Sequence, residues 1–552
     1  MKHLCCLFLV VVACACFSDE AVNRPRAPGE RDQADVPPGP RAGSGRSQGA
    51  ATAGTAARPE PAIDLPTADP EAPLILNEVA CRGTEFVEVV NRGSQSVDLK
   101  RFAIADHARR DDDAVPLSGT LAPGARASFA LRALACDGDP AVLFEGDTIV
   151  DHVWPPLMPA NASFARLPDA DGEFALAKPT PGKANSAFID DAARLFLDLD
   201  EAVPSTLPEL HITLPADALA SLRGVTAESP RPWLKATLTF RDARGEVGPI
   251  STGIHLKGQS VFRDIDGKAA FKLDFDRFED GSHLFGIEKL TLNNFVQDAS
   301  ASHERVYYGL VARQGGAAPR VGYVNVWVNG APFGVYLALE SSDEESFLGR
   351  SFASTALLYE GEYGADLYLH HEGEFDEDYG EDPSRAALAR VINTFNDASD
   401  SSLTSDTDEV IDWERVIPQM ATDLFCGHFD SYTANRNNFT FHIDDDGRLA
   451  LISGGADQAF IQSVERDVDG GQLLARCLKN TACSRALDDA LAKVAKDAGD
   501  FLARGGADRL RADAARLSAA FADDPRTEWD QRSLGQLVDE TLTFIERATR
   551  TY

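Results

Sequence analysis

The chain has 552 residues, 44% of them apolar, and is therefore too long for one hydrophobic core, so we expect two or more domains. Its formal net charge of −34 argues against nucleic acid as a partner, because binding a phosphate backbone requires a basic surface.

Residues 1–18 are predicted to be an export signal. A short basic start precedes an apolar run that is too short for a mature membrane span. Val11-Val12-Ala13-Cys14 is similar to a bacterial lipoprotein signal, in which the cysteine becomes the lipidated N-terminus, and Cys16 offers a second site. The alternative is a plain cleaved signal. We expect an extracellular or periplasmic protein that meets a membrane only through an N-terminal lipid anchor.

Residues 19–72 are predicted to be a disordered linker, because they are rich in Pro, Gly, Ala, Arg and Asp and nearly free of large apolar groups. Residues 73–187 show the short runs of an all-β region. The runs are Leu74–Val79, Glu85–Asn91, Val97–Leu99 and Phe102–Asp106. With the ending Thr180–Asn185 they resemble the lamin tail domain. This resemblance implies an immunoglobulin-like sandwich that serves as a binding module or as a spacer between domains. We interpret Glu85 and Glu88 as exposed strand residues.

The third region, residues 192–552, changes from strand-rich to helical near residue 385. Alternating runs such as Leu210–Leu214 and Leu234–Phe240 predict strands in its first half. Helical periodicity predicts helices at Ser302–Arg313, Ala386–Phe395, Trp413–Phe425, Ser484–Leu502, Ala507–Phe521 and Leu534–Thr549. This succession favours an α+β domain.

Five cysteines lie outside the signal region, and an exported chain permits disulfides. Cys81 with Cys136 and Cys477 with Cys483 are the pairs we expect, which leaves Cys426 free, although spacing alone does not fix connectivity. No Cys/His spacing indicates zinc.

The stretch from residue 429 to 460 carries the clearest chemical pattern. Asp430 is followed by asparagines at 435, 437 and 438, then by two apolar runs joined by the turn Asp444–Gly447, and then by Asp457. Phosphoryl transfer of the kinase type uses this order: one Asp orients the attacking hydroxyl, while an Asn and a later Asp hold Mg²⁺. The alternative is an ordinary hairpin with polar ends.

The segment from Leu207 to Phe460 resembles the spore-coat CotH kinase family, an atypical protein-kinase-like group. The matching pieces are Gly253–Gly258, Lys268–Phe275, Leu290–Asn294, Val326–Gly330, Phe333–Glu340 and the 429–460 stretch. The resemblance implies a two-lobed kinase-like fold that uses ATP with Mg²⁺ or Mn²⁺.

The resemblance assigns roles to the residues of the 429–460 stretch. It makes Asp430 the residue that orients the acceptor hydroxyl, Asp457 a metal ligand and Asn438 a second ligand, with Asn435 as its competitor. Many family members have Trp-Asp, one apolar residue and then the metal Asp, whereas this chain has Gly454-Gly455-Ala456-Asp457. Gly455 replaces the first carboxylate, which puts coordination of two metals in doubt.

Three lysines are candidate phosphate ligands. Lys268 and Lys272 are predicted to share one face of a strand, and Glu304, at the start of a helix, is the expected carboxylate partner of such a lysine. The third candidate is Lys257, which lies beside the turn Gly258–Ser260. The alternative for the two strand lysines is plain solvation.

Two acidic features are interpreted more plainly. Glu340 could face the nucleotide or form a local salt bridge. The carboxylate-rich run from Glu360 to Asp382 lacks the regular ligand spacing of a calcium loop, so a solvated acidic loop is favoured.

The sequence therefore predicts an exported kinase that phosphorylates Ser or Thr of a surface or coat protein. One alternative is a catalytically degenerate scaffold that binds surface polymers or coat-like proteins, and the loss of a carboxylate at Gly455 favours it. A second is a hydrolase with Asp430 and Asp457 flanking a sugar cleft.

Overall fold

A computed structural model describes residues 72–552, except 82–84, 108–113, 131–139, 157, 160, 189–190, 259–260, 469 and 531–532. The predicted signal, and the predicted linker up to residue 71, lie outside the described residues. Within the described part of the chain, no helix combines the length and apolar character needed to cross a bilayer.

Residues 72–187 form antiparallel sheets around one apolar core. The strands are β1 Leu74–Ala80, β2 Phe86–Asn91, β3 Val97–Asp98, β4 Phe102–Ala105, β5 Val115–Pro116, β6 Thr120–Leu121, β7 Arg126–Phe129, β8 Ala141–Glu145, β9 Thr148–Val153, β10 Ser163–Leu167, β11 Glu173–Lys178 and β12 Ser186–Ala187. They pair in the orders β12-β11-β10-β1-β2-β7, β5-β4-β8-β9 and β3-β6.

The expectation that Glu88 is exposed is wrong. Its side chain is buried because β2 lies inside the sheet between β1 and β7. The carboxylate accepts hydrogen bonds from Asn77 Nδ2, Ser128 Oγ and the Gly182 amide. These donors satisfy a charge that burial would otherwise destabilise.

Residues 209–340 close into a seven-stranded barrel, in the order β13-β14-β15-β16-β17-β19-β18, in which only the pair β13–β18 is parallel. Its elements are β13 Glu209–Thr213, α1 Ala216–Arg223, β14 Leu234–Asp242, β15 Gly245–Lys257, β16 Ala270–Asp274, β17 Lys289–Asn293, α2 His303–Arg313, β18 Val321–Val328 and β19 Ala331–Glu340. Leu238, Phe240, Phe271 and Tyr336 belong to its buried core.

The rest of the chain combines a four-stranded sheet, in the order β21-β20-β22-β23, with helices. Its elements are α3 Glu345–Ser351, β20 Leu357–Gly361, β21 Phe375–Tyr379, α4 Ala386–Asp397, α5 Leu403–Thr407, α6 Trp413–Cys426, α7 Tyr432–Asn435, β22 Phe439–Ile443, β23 Leu449–Ser453, α8 Gln472–Lys479, α9 Thr481–Phe501, α10 Ala507–Ala522 and α11 Leu534–Thr551. The predicted helices are confirmed, as is the order of an all-β region before a mixed region. The immunoglobulin-like and kinase-like descriptions remain predictions.

Helix α6 positions the loop that carries Asp430. Asp412 precedes the helix as its N-cap, and its carboxylate accepts a hydrogen bond from the Arg415 amide. It ends at Gly427, which has a φ of 62° and whose missing Cβ would lie 2.1 Å from the Gln462 carbonyl oxygen. The chain can therefore leave the helix here only because this residue is glycine.

The cysteine predictions agree with the structure where it describes them. Cys477 and Cys483 form a disulfide, and Cys426 is free and buried. Cys81 is also disulfide-bonded, but its expected partner Cys136 lies outside the described residues.

Candidate functional site

The fold brings four of the predicted site residues to one place. Lys257 is the last residue of β15, Glu304 lies in the first turn of α2, and Asp430 and Asp457 follow α6 and β23. Asp457 interacts electrostatically with Lys257 and with Asp430, and Glu304 interacts with both Asp457 and Lys257. The barrel and the second sheet thus contribute to one polar cleft.

An asparagine that sequence reasoning missed links the lysine to the glutamate. Lys257 Nζ donates to Asn293 Oδ1 at 2.8 Å, and Asn293 Nδ2 donates to the two carboxylate oxygens of Glu304 at 3.0 and 2.8 Å. Burial, followed by the nearby Asp457, raises the pKa of Glu304 to about 8, while burial lowers the pKa of Lys257. A polar residue at the end of the apolar strand β17 was the available signal.

Asp457 lies beyond the end of β23, on a segment that α2 holds by its backbone. Tyr308, on α2, is buried and interacts electrostatically with Asp457. His303 Nδ1 donates to the Asp457 carbonyl oxygen at 2.8 Å. Neither aromatic side chain stands out in the sequence, because both lie on the buried face of an ordinary amphipathic helix.

The same segment is also joined to the loop of Asp430. His428 Nε2 donates to the Gly454 carbonyl oxygen at 2.8 Å, and the Gly454 amide donates to the Asn438 carbonyl oxygen. Burial lowers the pKa of His428, in keeping with a neutral ring that donates from one nitrogen. The two candidate catalytic aspartates are therefore held in a fixed relation by the backbone.

The carboxyl group of Asp457 lies near other acidic groups as well as near Lys257. Burial, followed by the nearby Asp298, raises its pKa to about 6, whereas Lys257 and His303 act in the opposite direction. A buried carboxylate beside further carboxylates is stable in its ionised form only with a cation nearby. This charge pattern fits a divalent metal ion.

Asp430 is surrounded by amide groups and not by a cation. Asn435 Nδ2, Asn437 Nδ2 and Asn438 Nδ2 all donate to its carboxylate, at 2.8 to 3.1 Å. Arg436 instead donates to the Tyr368 hydroxyl group. These donors fix the orientation of the carboxylate.

Asn438 contributes its oxygen to the same place. Its Nδ2 is used by Asp430, and its Oδ1 has no donor among the described residues. A Cβ at Gly455 would lie 2.7 Å from the Asn438 Cγ. The glycine that replaces the expected carboxylate therefore makes room for this amide. Asn438 Oδ1 and the Asp457 carboxylate are oxygen donors of the kind that bind Mg²⁺ or Mn²⁺. No group of three or more His, Cys, Asp or Glu suited to a metal occurs among the described residues.

Lys272 faces the cleft from β16, where it is exposed. It has no hydrogen bond or ion pair with any described residue, although it interacts electrostatically with Glu360, Asp343 and Asp378. Lys272 is thus a cation available to an anionic ligand.

Lys268 lies elsewhere, in a position that differs from the expected one. Strand β16 begins at Ala270, so Lys268 precedes it and turns inward. Its Nζ is paired with Asp524 and donates to the Val335 carbonyl oxygen at 2.9 Å, and Glu304 is not its partner. Burial lowers the pKa of Lys268 to about 8.

The remaining candidates have local explanations. Glu340 is buried in salt bridges with Arg320 and Arg350, so the local alternative is the observed one. In the turn beside Lys257, residues 259–260 lie outside the described residues.

The comparisons with known proteins cover part of this chain. Residues 254–480 match the family described as CotH kinase protein. The protein named Invasin CotH2 from Rhizopus delemar is 22% identical over 228 residues, which are 38% of this chain and 37% of that protein. Inner spore coat protein H from Bacillus subtilis is 22% identical over 218 residues, 37% of this chain and 59% of that protein. The chain thus matches less than two thirds of the length of either relative.

Proposed function

We propose that this cleft transfers the γ-phosphate of ATP to a Ser or Thr hydroxyl group of a protein at the cell surface or coat. The observation that carries the proposal is the clustering of Lys257, Glu304 and Asp457, in which two carboxyl groups lie near one lysine. Such a cluster suits a ligand that brings both a cation and phosphate groups.

Each residue has a role that its contacts support. Lys257 and Lys272 bind phosphate oxygens, and Glu304 orients Lys257 through Asn293. Asp457 and Asn438 Oδ1 hold Mg²⁺ or Mn²⁺, which neutralises charge on the phosphates. Asp430 orients the acceptor hydroxyl group. Lys268 is reassigned from phosphate binding to support of the barrel.

The relatives support a surface location in general terms. One is named as an invasin and the other as a spore coat protein. Together with the predicted export signal, these names favour an exported protein, with a lipid anchor at Cys14 or Cys16 as the finer proposal.

A catalytically degenerate scaffold is the second candidate. The close packing of Asn438 against Gly455 favours it, because this packing fills the position where the family pattern places a carboxylate. Such a scaffold would bind its partner without metal-dependent nucleotide binding.

Calorimetry of ATP binding to the full chain, with and without Mn²⁺, separates the two candidates. We expect binding that requires Mn²⁺ and is abolished in Asp457→Ala. Asp508→Ala is the matched control, since Asp508 lies on α10 with its side chain 91% exposed. Absence of binding to the wild-type chain at millimolar ATP would exclude the kinase and leave the scaffold.

A further inference from the structure

A cavity lies beside α11, behind the segment that holds Asp457. It measures about 480 Å³, within the range of small-molecule sites. We call this cavity the α11 pocket, and its wall includes His303, Phe460, Trp529, Thr541, Phe544 and Arg547. The residues assigned to the cleft are absent from this wall, and most of the wall lies outside the segment matched by the family.

The wall is aromatic and partly open to solvent. Phe460 and Phe544 meet edge to face, with ring centroids 5.7 Å apart. Trp529 and Ile461 are 43% and 57% exposed, so large apolar side chains of the wall reach the protein surface. Phe460 has a φ of 63°, a conformation that a bulky residue adopts only when its surroundings hold it there. These features suit a planar apolar ligand.

One side of the cavity carries an arginine without a carboxylate partner. Arg547 lies over the Phe544 ring at 5.0 Å and donates only to Ser463 Oγ among the described residues. Arg550, on the same helix, is paired with Glu546. The other charged wall residue, Glu540, lies two helical turns from Arg547, or about 10 Å along the axis. An anionic group on the ligand would therefore be bound at the Arg547 end.

The cavity wall is connected directly to Asp457. His303 donates from Nδ1 to the Asp457 carbonyl oxygen, and its Nε2 lies 3.2 Å from Thr541 Oγ1 on α11. A ligand that shifts α11 therefore acts on the same imidazole ring that holds Asp457.

We propose that the α11 pocket binds a small planar aromatic molecule bearing one anionic group, and that its occupancy is transmitted to Asp457 through His303. The second clause rests on the proposed function, whereas the first does not. Because coupling between two binding sites is reciprocal, a pocket ligand and Mn²⁺–ATP alter each other's affinity by the same factor.

The test uses 1-anilinonaphthalene-8-sulfonate, an aromatic sulfonate, as the probe with the full chain. Energy transfer from Trp529 reports binding in this cavity, so Trp529→Phe identifies the local signal among the five tryptophans. We expect Arg547→Ala to weaken the site about tenfold by removing a charge-assisted contact. Thr543→Phe, a change at an exposed wall position, should block the cavity without disturbing the core. Arg550→Ala is the matched control and should bind as the wild type does.

Equal binding of the probe by the wild type, Arg547→Ala and Thr543→Phe would overturn the proposal that the α11 pocket is a binding site. A transfer signal that is undiminished in Trp529→Phe would overturn it as well. Unchanged Mn²⁺–ATP affinity at saturating probe would overturn the coupling alone. Failure of ATP to bind at all would overturn the proposed function and the coupling, while the probe titration would still decide the pocket.

Discussion

Two lysines of the barrel, Lys268 and Lys257, differ in the charge balance of their surroundings. The Lys268 side chain is 2% exposed and is matched by one carboxylate, Asp524. Lys257 has an amide as its hydrogen-bond partner among the described residues, although Glu304 and Asp457 lie nearby. Lys268 is already paired with its counter-ion and therefore cannot bind an anionic ligand. Lys257, which lies beside two carboxyl groups, can instead interact with a metal-bound phosphate.

The largest expected effect comes from breaking the matched pair. Lys268→Met leaves Asp524 buried without a cation, which should lower the free energy of unfolding by about 3 to 5 kcal/mol. Urea denaturation measures this loss. The double variant Lys268→Met/Asp524→Asn should recover much of it, and a double variant as unstable as the single one would show that the pair is not the cause.

Removing the unmatched lysine should affect binding more than folding. Lys257→Met deletes a phosphate contact, so we expect Mn²⁺–ATP affinity to fall about tenfold while the urea midpoint changes little. Calorimetry and denaturation of the same sample give both numbers. A large loss of stability with unchanged Mn²⁺–ATP affinity would show that Lys257, like Lys268, supports the fold and does not bind phosphate.

The surplus carboxylates predict a pH dependence of metal binding. The cation requires ionised Asp457, whose pKa is raised to about 6. Affinity for Mn²⁺ should therefore rise with pH through 6 and fall roughly fivefold from pH 6 to pH 5. Titrations from pH 5 to pH 8 measure it. The slope should vanish in Asp457→Asn, and a flat wild-type profile would contradict the assignment.

The smallest effect concerns stability at the cleft. Since the folded-state pKa of Asp457 lies above its usual value of 3.8, the stability this carboxyl contributes is present below pH 4 and is lost as the pH rises through 6. Asp457→Asn should thus stabilise the chain more at pH 8 than at pH 4. Urea unfolding at pH 8 and at pH 4 checks it, with equal shifts at both values counting against the argument.

Helices and strands were predictable because their patterns are local. The periodicity of Trp413–Phe425 predicted α6, which the structure extends by one residue, and the alternating run Leu234–Phe240 predicted β14. The aspartates of the candidate site were visible for the same reason, since the hairpin between β22 and β23 keeps them close in sequence.

The partners of these residues were not predictable, because they depend on packing between distant segments. Lys268 and Asp524 are 256 residues apart, and nothing near either one indicates the other. The alternation of Lys268 with Lys272 predicted a shared face, but strand pairing begins only at Ala270. The fit of Asn438 against Gly455 likewise follows from the fold alone.

The segment that matches the family, residues 254–480, is not a unit that could be swapped for the corresponding segment of a relative. It ends at residue 480, yet buried Arg305 is neutralised by Asp513 and buried Lys268 by Asp524, both beyond that boundary. A fragment cut at residue 480 would lose both counter-ions. A chimera with a relative would therefore have to take the barrel and helices α9–α11 from the same parent protein.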